Sequence, residues 1–432
     1  MTPVQQFRAA LYAGDVARVR ALLEQHAEVR DSINAPIGHF DGRPVAAAAR
    51  NLPLLDLLLA HGADINLKSA WWAGGFGILE SDLTPEQAAA LIDRGAAVDV
   101  FAAAHLGMFD RLRELVERDP SLVHARGGDG KTPLHYATSV AMARYLVERG
   151  AVVDARDVDH ESTPAQYLVR DAPEVVRYLI GEGARVDIFM AVALRDRRLA
   201  ERCLADDPDA LGQRINEGPF RVRHDGAHAA PIGDGRGDIY RWVLGHYLTP
   251  IEVAARLGYQ DIVDYLMAQA SPAQRLLAAC ALADRTTAET VIAAHPGIIA
   301  GLTESQRRAI AFCAYWNDTA AVALMADLGF DTRVIGHDNG DALHWASYLG
   351  NADMVRALLT RDPAIGVRDT AHDGTPLDWC IYGSRYGEKK RSGDFAGVAR
   401  LLVDSGEAVE PGMVPTGRDD VDQVLRAHLK RS

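Results

Sequence analysis

His224 and His228 stand four residues apart with Asp225 beside the first, the spacing that sets two imidazoles on one face of a helix as metal ligands. Gly226 interrupts such a helix, Pro231 follows it, and the sequence identifies no third ligand, so no metal site is expected. With His160 and Tyr240, these residues are instead the candidates for non-covalent general acid–base chemistry, in which a positioned side chain moves one proton. Covalent catalysis finds no support. There is no G-x-S-x-G elbow, and Cys203, Cys280, Cys313 and Cys380 are widely separated, Cys280 within an apolar L-A-A-C-A-L run where burial keeps a thiol protonated and inert. Without a C-x-x-C pair, reduced thiols are expected. The G-D-G-R-G run at 233–237 lacks a preceding strand and the spacing of a dinucleotide loop, so it reads as a turn and no cofactor is expected.

The elements that must position these residues recur along the chain. D-G-K-T-P-L-H-Y-A at 129–137 returns as D-N-G-D-A-L-H-W-A at 338–346 and D-G-T-P-L-D-W at 373–379, with looser copies at 41–44, 162–167 and 249–255. About twenty residues after several of these comes a second signature, as in L-L-L-A-H-G-A-D-I-N at 57–66, Y-L-V-E-R-G-A-V-V-D at 145–154 and Y-L-I-G-E-G-A-R-V-D at 178–187. Thr132 stands where a helix needs an N-cap hydroxyl, Pro133 at the first helical position, and Leu134 at the start of an apolar stripe. Gly150 and Gly183 follow the second helices as left-handed C-caps. Each unit is a helical hairpin that cannot bury its own apolar face, and stacking buries it.

This pattern resembles the ankyrin repeat, with its period of about 33 residues and its T-P-L-H-x-A turn. The resemblance implies an all-α ankyrin-repeat solenoid of about 11–12 helix-turn-helix units, one array over 1–432 carrying a long irregular insertion at 213–247 and a capping helix at 417–432. Units start near residues 7, 41, 71, 101, 129, 160, 190, 247, 275, 308, 338 and 373, the one near 275 having lost the turn signature. In such repeats the histidine of the turn, here His135 and His344, braces successive units. The next position is aromatic at Tyr136, Tyr167, Trp345 and Trp379, and neighbouring aromatics there would line an apolar cleft.

Three departures from the repeat supply further binding candidates. Residues 69–78, with Trp71, Trp72, Phe76 and three glycines, read as a glycine-flexed aromatic loop. The 213–247 insertion carries Arg221, Tyr240 and Trp242 and is expected to order as a lid over the groove. Residues 382–394 extend a loop between the last two helices and gather Tyr382, Arg385 and two lysines, with Asp378 and Trp379 just before it. Recognition of a protein partner through the concave face and these insertions is what the resemblance implies. The alternative is a small-molecule acid–base enzyme with an aromatic pocket under the insertion.

Composition fits a folded chain: 432 residues, 48% hydrophobic and 24% charged, which excludes wholesale disorder and a disulfide scaffold. The net charge of −13 disfavours nucleic acid as a partner. Five of 46 basic residues are lysine, a usage that suggests a GC-rich bacterial genome. There is no basic-then-apolar leader and no run of 18 apolar residues, so no membrane segment and a cytoplasmic location are expected.

Overall fold

The computed structural model describes residues 1–221, 236–336, 339–361 and 365–430. Among them every regular element is helical and none is a strand. The chain divides into two compact units, Met1–Thr249 and Pro250–Ser432.

The first unit is built from short helices followed by longer antiparallel ones, such as Val100–His105 with Phe109–Arg118 and Ile188–Ala193 with Arg197–Asp206. Local chemistry starts each: Asp99 accepts from the Phe101 and Ala102 amides, and Asp187 accepts from Met190, satisfying donors that a helix start leaves open. Between hairpins the chain runs out into fingers joined by backbone hydrogen bonds. The Asp129 amide donates to Gly74 O at 3.3 Å, Val158 to Asp129 O at 2.8 Å, and Asp238 to His160 O at 3.0 Å. Gly74 is required there, since its φ of +138° and a carbonyl 2.1 Å from where a β-carbon would sit exclude any side chain.

The helix expected after Thr132 is reduced to one 3-10 turn, Pro133–Tyr136. Ser139 caps the next helix, Val140–Glu148, by accepting from the Met142 amide, so the chain must leave the first helix after a single turn. Residues 69–77 contain no helix, and the short first helix of that unit is the turn Ile78–Glu80.

In the second unit, the segment near 275 folds as an ordinary hairpin, Pro272–Ala281 with Arg285–Ala294, started by a Ser271/Gln274 capping box. A hydroxyl cap replaces the missing turn signature. Hairpins Ala309–Tyr315 with Thr319–Asp327, Ala342–Tyr348 with Ala352–Arg361, and Pro376–Tyr386 with Phe395–Asp404 follow. Leu276, Ile310, Met325, Leu343, Leu377 and Phe395 share one core, onto which helix Asp419–Leu429 buries Val421 and Leu425. Residues 382–386, expected in a loop, are the last turns of the helix Pro376–Tyr386. Gly383 sustains it because a β-carbon there would meet Tyr348 O at 2.0 Å: the glycine marks close packing of two helices, not a break.

Candidate functional site

In the first unit a buried polar cluster forms where three fingers meet. Lys131 Nζ sits 4.6 Å from the centroid of Tyr136, 5.3 Å from Tyr167 and 5.3 Å from Phe76, with Asp129 Oδ2 at 3.5 Å. Three rings and a carboxylate thus surround one ammonium. The ring hydroxyls are also engaged: Tyr136 donates to Glu80 Oε2 at 2.9 Å and Tyr167 to Asp157 Oδ2 at 2.9 Å. Lys68 Nζ closes the other side, 2.7 Å from Asp99 Oδ2 and 4.8 Å from the Phe101 ring. Burial, with the nearby carboxylates adding to it, raises both tyrosine hydroxyls far above their ordinary range, and burial likewise raises Asp129.

His160 belongs to the same region. Its Nδ1 is 2.9 Å from Asp238 Oδ1 and its Nε2 3.6 Å from Asp159 Oδ2. Burial alone would lower this imidazole, but the hydrogen bond to Asp238 and the charges of Asp157, Asp238 and Asp159 outweigh it and raise its pKa. Asp129, Asp159 and His160 could bring ligand atoms within 4.8 Å of one another, yet Lys131 already supplies the positive charge beside Asp129.

In the second unit the aromatic positions, Trp345 and Trp379, are buried but edge a groove. Trp345, Tyr348, His372, Asp373, Gly374, Asp378, Trp379 and Tyr382 line a groove of about 750 Å³. Trp345 and Trp379 meet edge to face at 5.2 Å, and Tyr348 stacks over Tyr382 at 6.4 Å. Trp379 is fixed by its Nε1–H, which donates to Asp369 Oδ2 at 2.8 Å. Burial would raise Asp369, but this bond and the amides of His372, Gly374 and Ala371 together hold it below the usual carboxylate range. Tyr382 and Tyr386 are 59% and 58% exposed. Another cavity of this unit, about 510 Å³, is lined mainly by aliphatic residues such as Ile292, Ile298 and Leu302.

The turn histidines brace successive hairpins as expected. His135 Nδ1 pairs with Thr132 Oγ1 at 2.9 Å and its Nε2 with Ser162 O at 3.2 Å; His344 pairs with Asp341 Oδ1 at 2.8 Å and Gly374 O at 3.2 Å. Of the sequence candidates, Trp345, Asp378, Trp379 and Tyr382 come together in the groove, and Phe76, Tyr136 and Tyr167 around Lys131. Arg385 lies over Tyr386 at 5.1 Å. Trp71 packs on Phe40 at 5.0 Å and against Trp72 at 6.1 Å.

Tyr240 is a correction. It is fully buried against Phe189 and Phe220, its hydroxyl donating to Asp187 Oδ2 at 3.0 Å, so it fills core. Trp242 is 65% exposed beside Arg241 and His246, and Arg221 is exposed. The described stem of the insertion is tied down rather than free: the Arg236 amide donates to Pro219 O, and Gln166 Nε2 donates to Arg236 O, both at 2.6 Å. His224, Asp225 and His228 lie outside the described residues. Lys131, Glu80, Tyr348 and His372 were not singled out from sequence; the available signal was a lysine, rare in this chain, placed inside a turn element.

Comparison with known proteins agrees with this architecture. Residues 100–190 match the family of ankyrin repeats in three copies, and residues 341–370 match a further ankyrin repeat. The mouse ankyrin repeat and SAM domain-containing protein 6 (Mus musculus) is 35% identical over 92 residues, 20% of this chain and 10% of that protein. The Arabidopsis thaliana serine/threonine-protein kinase VIK is 44% identical over 57 residues, 12% of this chain and 13% of the kinase. The chain therefore spans about a tenth of the length of the curated relatives it matches. From the turn elements, the histidine braces, the all-helical hairpins and these matches together, the chain is an ankyrin-repeat protein.

Proposed function

We propose that the chain is a binding protein whose second unit holds an extended segment of a protein partner in the groove between Trp345 and Tyr382. The observation that carries this is the groove itself: about 750 Å³, lined by four large aromatic side chains with polar groups at the rim, the composition that recognition surfaces favour. Ankyrin repeats serve protein–protein interaction in general. The four cysteines are free and largely buried, burial raising Cys280 to about 12, which fits a reducing location such as the cytoplasm and adds no reactive centre. No helix among the described residues is long and apolar enough to cross a membrane. One array over 1–432, its cap at 417–432 and a bacterial origin belong to the same proposal.

A random twelve-residue peptide library selected on the full chain tests it. Peptides should be retained by the wild type and lost by Tyr382→Ala, a change at an exposed position of a well-anchored helix. Retention of every selected peptide by that variant overturns the reading.

A further inference from the structure

Counting four residues back from His135 gives Lys131; four back from His344 gives Gly340, and four back from Asp378, which holds the histidine position of the next copy, gives Gly374. In the first unit the side chain at this position reaches between the aromatic residues of consecutive repeats, Tyr136 and Tyr167. The corresponding pair in the second unit is Trp345 and Trp379. Both glycines there lie against Trp379: a β-carbon at Gly340 would come within 2.8 Å of its indole ring, and one at Gly374 within 3.2 Å. A lysine at either position would collide with the ring it should cover. The second unit therefore has no side chain at this position, and the indole of Trp379, edge to face on Trp345 at 5.2 Å, takes that space itself; the groove lies beside the two rings, toward Tyr348 and Tyr382.

Three further observations give the groove a charge preference. Asp373 and Asp378 stand on its lining, and Asp369 accepts the indole N–H of Trp379 from behind at 2.8 Å, drawing the ring's electron density toward its face. Against these carboxylates stands Arg368, 3.7 Å from Asp373, on a chain whose net charge is −13. Within this same unit a half-buried indole already carries a guanidinium, Arg256 lying 4.2 Å over Trp316. The rim and the faces both favour a cation, and the acidic chain disfavours phosphate-bearing partners.

Resting on the binding role proposed above, we infer that the groove of Trp379, Asp378 and Tyr382 takes a lysine or arginine side chain of a basic partner segment. A volume of about 750 Å³ holds such a side chain together with its neighbours along the peptide. The carboxylates orient the charged head, and the aromatic faces cover its methylene stem.

The library selection described above tests this directly with the peptides it yields. Peptides that bind the wild type and not Tyr382→Ala should share a lysine or arginine at one fixed position. Replacing that residue by norleucine or citrulline should weaken binding at least tenfold in a titration by fluorescence anisotropy, and raising the salt should weaken the parent peptide but not the neutral one. Tyr382→Lys, which supplies a cation from the chain itself, should lose these peptides while keeping the wild-type circular dichroism spectrum. Groove-dependent peptides with no shared cation, or a neutral replacement that binds equally, would overturn the cation seat and leave the binding groove standing. A library that yields no peptide sensitive to Tyr382→Ala overturns both.

Discussion

At the same place in the repeat, the first unit sets Tyr136 and Tyr167 around its own Lys131, whereas the second sets Trp345 and Trp379 over Gly340 and Gly374. The backbone frame is shared: each histidine lies about 5.3 Å, edge to face, from the aromatic residue of the following repeat, His135 from Tyr167 and His344 from Trp379. What differs is who satisfies the aromatic faces. In the first unit hydroxyls, carboxylates and ammonium groups close on one another. In the second, two glycines make room for an indole, and a groove lined by Tyr348, Asp378 and Tyr382 lies beside it. A repeat scaffold can thus turn a self-contained polar cluster into an open groove by changing one residue per copy.

The histidines separate the two regions in a second way. His135 is pushed down to about 3, first by burial and further by the positive charges of Lys131 and Arg126, which outweigh its backbone hydrogen bonds. His344 is subject to the same burial, but its hydrogen bond to Asp341 and the charges of Asp341 and Asp369 outweigh that and raise it. One is held neutral chiefly by burial, with the neighbouring cations adding to it, while the other favours its charged form beside carboxylates.

The strongest way to break this comparison is to remove the indole. Trp379 is 9% exposed, wedged between two glycines and bonded to Asp369, so Trp379→Ala should cost the second unit about 3–5 kcal/mol in urea unfolding followed by circular dichroism. A loss below about 1 kcal/mol would mean that the ring is an ornament of the groove and not its floor. Next comes Lys131→Met, which keeps the stem and removes the charge that neutralises Asp129 inside the rings. About 2–3 kcal/mol should be lost, and adding Asp129→Asn should return much of it, because Asp129 Oδ1 already lacks a hydrogen-bond partner. Additive losses in that double-mutant cycle would show that the ammonium and the carboxylate do not act as a pair.

How much of this was legible depends on how local the signal is. The hairpins were, since Thr163, Ser271 and Thr375 cap helices through their own side chains, and Gly150 and Gly183 take the left-handed conformation expected of them, φ +95° and +97°. Two of the groove residues, Trp345 and Trp379, were found because the position after the histidine is aromatic in successive copies, and Asp378 and Tyr382 because they adjoin the departure at 382–394. Lys131 was not, because its rings come from three different repeats and no single window contains them. Gly383 misled for a related reason: in sequence it looks like a helix breaker, and only the Tyr348 carbonyl beside it explains why it is helical. Tyr240 misled because a hydroxyl-bearing aromatic in a long insertion resembles a catalytic group until the stem is seen returning to the core beside Phe189.

A smaller effect should follow pH. Below about 6.5 the unfolded chain takes up a proton that folded His135 refuses, so this residue's contribution falls as pH drops toward 3, by up to about 1.4 kcal/mol per pH unit. His344 works in the opposite sense: its folded pKa is raised, so its contribution is fully present below the unfolded value and is lost as pH rises through the folded one. Hydrogen exchange of the full chain at pH 5 and pH 8 should show protection near Thr132 weaker at the lower pH and protection near Asp341 weaker at the higher. The same direction at both places would remove the electrostatic contrast drawn above.

The smallest change in stability should accompany the most selective change in binding. Tyr382 and Tyr386 are equally exposed on one helix and touch each other at 4.9 Å, so replacing either by alanine should cost no more than about 0.5 kcal/mol. Only Tyr382 lines the groove, while Tyr386 stands a turn further on beneath Arg385. Tyr382→Ala should therefore weaken a groove-selected peptide at least tenfold, about 1.4 kcal/mol, and Tyr386→Ala less than threefold. Exposure, size and helix are matched in this pair, which leaves position against the groove as the difference. Equal losses would mean that the peptide rests on a general aromatic surface running along the helix, and that the space between Trp379 and Tyr382 holds no particular side chain.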